Sequence, residues 1–174
     1  MKTRRIAVLA VLTATAMILS FVESQIPPFT AIPGIKVGLA NVAVVFALYA
    51  QDTRAAALVS AVRVLLLALL FGHPVSLLFS LLGATLSLLS MVALRRWGRL
   101  SAVGVSVAGG IAHNVGQTLA AVLLLGTGVL YYLPVLVVTG TVAGVVVGLA
   151  GALLCRRLSP LVDPRNASKN DNKK

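Results

Sequence analysis

Ala55-Ala-Ala-Leu-Val-Ser-Ala-Val-Arg63-Val-Leu-Leu-Leu-Ala-Leu-Leu-Phe71 holds a single charge, at the ninth of its 17 residues. As a helix rising about 1.5 Å per residue, the run crosses most of a hydrocarbon core of roughly 30 Å. A guanidinium stays protonated in proteins, and a charge at mid-bilayer costs about 2.5–3.5 kcal/mol on insertion scales. Arg63 is therefore expected to face the interior of a helical bundle, towards a polar partner or a ligand.

The rest of the chain agrees with that setting. It is 59% hydrophobic and 11% charged, with a mean hydropathy of +1.00, a composition foreign to soluble domains. Apolar runs at about 6–22, 37–50, 55–71, 75–94, 103–125 and 131–154 predict an all-α polytopic membrane bundle of six transmembrane helices. Between them stand a proline-rich segment from Glu23 to Lys36, the polar turn Gln51-Asp-Thr-Arg54, Gly72-His-Pro74, Arg95-Arg-Trp-Gly-Arg99 and Gly126-Thr-Gly128. The transmembrane domain is read as 1–155, and 156–174 as a polar, disordered cytoplasmic tail.

Charge distribution orients the bundle. With both termini cytoplasmic, Lys2, Arg4, Arg5, Arg54, Arg95, Arg96, Arg99 and six tail residues lie inside, thirteen of the fifteen basic residues. Only Lys36 lies outside, and Arg63 is within a span, so the positive-inside rule selects this orientation in a cell membrane. The start, Met-Lys-Thr-Arg-Arg with Ala14-Thr-Ala16, resembles a cleaved signal peptide. Its apolar run continues through Val22, however, and a retained first helix is expected. The net charge of +11 comes with five Phe, three Tyr and one Trp. That leaves no aromatic platform for stacking bases, so membrane lipid rather than nucleic acid is the expected partner of the basic clusters. Cys155 is the only cysteine, which excludes an intrachain disulfide or a thiolate cluster.

Polar side chains gather in the outer half of the bundle. Arg63 and His113 fall near the middle of their spans, Asn114 and Gln117 slightly further out, Asn41 in the outer third of the second span and Glu23 at the outer end of the first. Such groups must pair with one another or line a wet cavity. One reading is a network that locks helices, for instance Glu23 to Lys36 and Asn41 to His113. The other is a substrate chamber open to the outside, lined by Glu23, Lys36, Asn41, Arg63, His113, Asn114 and Gln117, with the proline-rich segment as its lid. The cations would favour an anionic or acceptor-rich solute. His73, in the loop after the third span, is the only histidine besides His113, and no Cys or paired carboxylate accompanies them, so no metal site is expected. With four acidic residues, Glu23, Asp52, Asp163 and Asp171, the chain has no clustered carboxylates for magnesium and diphosphate, and no nucleotide-binding loop. No cofactor is expected, nor is catalysis by this chain alone. Ala10 and Ala14, with Ala7 nearby, form a small-residue face suited to close helix approach. Gly140, Gly144, Gly148 and Gly151 form another, read as internal packing.

Several blocks carry a family resemblance: Pro33-Gly-Ile-Lys-Val-Gly-Leu-Ala-Asn41, Arg63 with Phe71-Gly72, Ser80-Leu-Leu-Gly83 with Ser87, Gly104-Val-Ser106, and Ala112-His-Asn-Val-Gly-Gln117. Over about 5–155 the chain resembles the Gx transporter family, whose members are often labelled heptaprenyl diphosphate synthase component I. That family is similar to the S components of energy-coupling-factor (ECF) vitamin transporters. The resemblance implies a six-helix subunit whose first outer loop caps an outward-facing site. It also implies a small-residue face on the first helix, here Ala10 and Ala14, which meets a transmembrane coupling protein served by two cytoplasmic ATPases. The expected function is binding of a small nutrient or cofactor precursor for uptake. The alternatives are a non-catalytic scaffold for prenyl or quinone synthesis or a membrane redox system, and a membrane enzyme using His113 as acid–base with Arg63 as an anion clamp.

Overall fold

The computed structural model describes residues 2–25, 38–71 and 74–162. Their regular structure is helical: α1 (Lys2–Gln25), α2 (Asn41–Ala50), α3 (Thr53–Phe71), α4 (Pro74–Trp97), α5 (Ala102–Leu125), a 3-10 helix (Thr127–Tyr132) and α6 (Leu133–Val162). Five apolar segments are long enough to cross a membrane: Thr3–Glu23, Thr53–Leu70, Pro74–Trp97, Ala102–Leu125 and Thr127–Leu158. The burial pattern is that of a protein surrounded by lipid. Leu69 and Leu123 are 81% and 73% exposed, while Arg63, His113, Asn114 and Gln117 are buried. In water the sorting would run the other way.

The second expected span is corrected. Its helix starts at Asn41 and has ten residues, about 15 Å of rise and half of a hydrocarbon core. The reason lies at Gly38, whose φ of +95° is outside the helical region. Gly38, Leu39 and Ala40 form a turn, with the Asn41 N–H on the Gly38 carbonyl at 2.9 Å. The helix that follows is buried on almost every side, Ala43 through Leu48 forming an unbroken buried run. It sits inside the bundle, packed on α1, α3 and α6 and touching α5 at a few residues. Around it the pairs α1–α3, α3–α4, α4–α5 and α5–α6 succeed one another.

The glycine stripe of α6 packs internally, Gly140, Gly144 and Gly148 against α5 and Gly151 against Val45 of α2. A Cβ on Gly144 would lie 2.5 Å from Val107 Cα, and one on Gly148 2.8 Å from Val103 Cα. The helix itself runs on to Val162, past the Leu154 at which the sixth span was expected to end. The proline-rich segment 26–37, His73 and the remaining tail 163–174 lie outside the described residues.

One end of the bundle is tied by charge. Asp52, between α2 and α3, accepts from the Ala55 N–H at 2.6 Å and from Arg5 Nη2 at 2.6 Å. Partial burial pushes its carboxyl up, but the Ala55 N–H together with the bond and charge of Arg5 outweighs that and holds it below the usual carboxylate range. Arg95 of α4 donates to the Leu48 carbonyl and lies 5.1 Å over the ring of Tyr49. It thus satisfies one of the carbonyls that the end of α2 leaves without a helical partner. These contacts set the level at which α2 starts, and with it the floor of the polar site.

Candidate functional site

Polar side chains from α1, α3, α4 and α5 converge above the start of α2. Glu23, Arg63, His113 and Gln117 line one cleft, joined by Ser20 of α1 and Ser80 of α4, with Gly38 at its edge. Val64 and Leu67 of α3 form its apolar wall. Four of the seven expected site residues are therefore brought together. Helical spacing brings two pairs to the cleft: His113 and Gln117 are four apart on α5, Ser20 and Glu23 three apart on α1.

The fit of α4 against α5 depends on missing side chains. A Cβ on Gly83 would come within 2.9 Å of His113 Cε1 and 3.1 Å of Gln117 Cγ. A Cβ on Gly116 would lie 2.5 Å from the Leu82 carbonyl oxygen. Gly83 thus leaves the room that His113 fills, and Gly116 lets the two backbones approach closely enough for His113 and Gln117 to reach the cleft.

Arg63 is 5% exposed, and its Nε has no hydrogen-bond partner among the described residues. Buried polar atoms are almost always bonded, so this donor is available for a water or a ligand atom. Glu23 is near enough for its charge to act on the guanidinium. One of its oxygens also accepts the Gly38 N–H. The carboxylate therefore couples the end of α1 to the turn that starts α2, where the helix dipole favours a negative charge. The space left between these side chains is narrow, a cavity of about 20 Å³, room for roughly one water molecule.

The other expected site residues lie elsewhere. Asn114 turns to α6, where Nδ2 donates to the Leu136 carbonyl at 2.6 Å and lies 3.4 Å from Thr139 Oγ1. Its role is to join helices, because one step along α5 rotates a side chain by about 100° away from His113. Asn41 is buried beside Gly38, whose ideal Cβ would be 3.2 Å from Asn41 Nδ2 and 3.7 Å from His113 Cδ2. It borders the cleft from below without lining it. Lys36 lies outside the described residues. Ala10 and Ala14 are exposed on the outer face of α1. No group of three His, Cys, Asp or Glu suited to a metal ion occurs among the described residues.

Ser20, Gly38 and Ser80 were not singled out as site residues. Ser20 carried a signal in its position one turn before Glu23, and Ser80 in standing three residues before Gly83. A serine in an apolar helix is ordinary, however, because its hydroxyl can bond its own backbone.

Compared with known protein families, residues 12–154 match the model of the heptaprenyl diphosphate synthase component I family. Among the curated proteins and the solved structures, nothing matches.

Proposed function

The chain belongs to the heptaprenyl diphosphate synthase component I family, and from that premise we propose that it is a solute-binding membrane subunit, S-component-like in architecture, which hands a small nutrient or cofactor precursor to a separate ATPase-coupled module. The reading takes the end that carries Arg5, Asp52 and Arg95 as cytoplasmic. The cleft then opens in the outer half, where an incoming solute arrives. Glu23, Arg63, His113, Gln117, Ser20 and Ser80 supply its hydrogen bonds, and Lys36 remains a proposed contributor. The observation that carries the reading is Arg63, a buried cation with an unbonded Nε–H, held at the wall of a polar cleft inside an apolar bundle. Ala10 and Ala14, exposed on α1, are the proposed contact for a transmembrane coupling protein.

A cavity with room for one water is too small for such a solute, so binding requires side chains around Leu67 and Arg63 to move. The same narrowness favours a second reading: a scaffold in which the polar cluster holds a hydrated joint between helices. The family's description as component I of a synthase fits that reading as well, since a component implies a partner subunit. The chemistry of a diphosphate synthase would then reside in the partner.

Mass spectrometry of small molecules retained by the purified protein separates the two, with Arg63→Ala beside it. A compound held by the wild type and lost from the folded variant supports the solute-binding reading. A well-folded wild type that retains nothing, yet copurifies with a prenyl synthase, overturns it in favour of the scaffold.

A further inference from the structure

Resting on the solute-binding reading, we infer that the molecule taken by the cleft is electrically neutral and presents an amide- or ketone-type oxygen to Arg63. Among the described residues that line the cleft, Arg63 is the one permanent cation and Glu23 the one carboxylate. Glu23 accepts the Gly38 N–H at the start of α2, where a backbone donor and a helix N-terminus suit a negatively charged group. The charges of the described lining therefore cancel, with Glu23 as the built-in counter-ion of Arg63.

An anion entering this cleft brings a charge that no further cation among the described lining residues neutralises. At membrane depth that penalty weakens binding on the order of a hundredfold relative to a neutral molecule of the same shape. What the site still lacks is an acceptor for the buried Arg63 Nε–H, and a carbonyl oxygen supplies one without adding charge. Val64 and Leu67 on the same wall match an apolar body behind that oxygen. A diphosphate supplies acceptor oxygens, but it brings several negative charges and no apolar face of its own.

Acetamide and acetate share a shape and differ in charge, so they are suitable probes. Binding of each is followed by saturation-transfer NMR on protein in nanodiscs, with the wild type, Glu23→Gln, Arg63→Met and the double variant. Glutamine retains an oxygen for the Gly38 N–H, and the double variant restores neutrality. Thermal stability of each variant shows that it is folded. The wild type is expected to bind acetamide at least tenfold better than acetate. Glu23→Gln should shift the preference to acetate, and Arg63→Met and the double variant should bind neither. Arg63-dependent binding of acetate in preference to acetamide by the wild type would overturn the neutral-solute inference while leaving the solute site standing. A Glu23→Gln protein with no gain for acetate would overturn it too, since Glu23 would not be the counter-ion. Binding of neither probe to the wild type or to Glu23→Gln would remove the solute-binding reading and this inference together.

Discussion

Replacing Gly116 by alanine should separate α4 from α5, and the size of the effect follows from the contacts. An ideal Cβ there lies 2.5 Å from the Leu82 oxygen and 2.8 Å from Gly83 Cα, both backbone atoms of α4. An unstrained contact needs about 3.5 Å, and no rotamer can relieve a clash with backbone. The helices have to part by a large fraction of an ångström. Overpacking of this kind costs about 1–3 kcal/mol, and alanine's better helix propensity returns up to about 1 kcal/mol. With the upper end of that range applying to a backbone clash, the net loss is about 1–2 kcal/mol. In a chain of this size that lowers the apparent Tm by about 2–8 °C. Gly104→Ala is the control, because its Cβ would meet Leu100 and Ser101 side-chain atoms at ordinary contact distance, 3.5 Å and beyond. Gly83→Ala is the informative third variant. Its Cβ would meet His113 and Gln117 side chains, which can swing into the cleft, so it should retain more stability than Gly116→Ala while altering solute retention. Size-exclusion chromatography after stepwise heating ranks the three. A Gly116→Ala protein as stable as Gly104→Ala would refute the close-packed α4–α5 interface from which the site geometry follows.

Asp52 gives a pH dependence of definite sign. Its folded-state value is depressed, so the stability it contributes is present above the unfolded value of about 3.9 and is lost as pH falls through the folded one. The pair with Arg5 is exposed and contributes only about 0–1 kcal/mol. Heating curves for wild type and Asp52→Asn should therefore differ slightly at pH 7 and converge below about pH 4, and a gap that widens in acid would contradict the assignment. Asn114→Ala removes the bond to Leu136 and should cost about 0.6–1.7 kcal/mol without affecting solute retention; loss of retention would return Asn114 to the site. A membrane-impermeant maleimide should reach Cys155 in inverted vesicles but not in intact cells, and labelling of intact cells would reverse the proposed orientation.

How far the site could be read in advance depended on what each signal encodes. Arg63 was legible because a permanent cation in an apolar run has few places to go. Glu23, His113 and Gln117 followed from depth, which sequence position supplies at a constant rise per residue. Asn114 was misplaced because it shares its depth with His113 and differs only in rotation. Which of two adjacent residues faces a cleft and which faces α6 is fixed by the close approach of Gly110 and Gly140, a tertiary contact. Ser20 and Ser80 stayed hidden because serine is unremarkable in an apolar helix until its neighbours are known.

The shortness of α2 explains why a polar cleft exists here at all. Val37 to Ala50 is apolar enough, Asn41 apart, to read as a span, and hydropathy does not register the backbone turn at Gly38. Arg95 and the Arg5–Asp52 pair fix the other end of this segment at the charged face. Ten residues from there reach only about 15 Å, which is also the rise from Thr53 to Arg63 along α3. Non-helical backbone at that depth is tolerated only where protein or water covers its polar atoms, and the Glu23 carboxylate on the Gly38 N–H is such a cover. A carboxylate brought to that depth needs a cation, and Arg63 stands level with the start of α2. The two charges are thus consequences of one helix starting late. The Arg63 Nε–H, which has no partner among the described residues, is what the fold leaves for a ligand or a water.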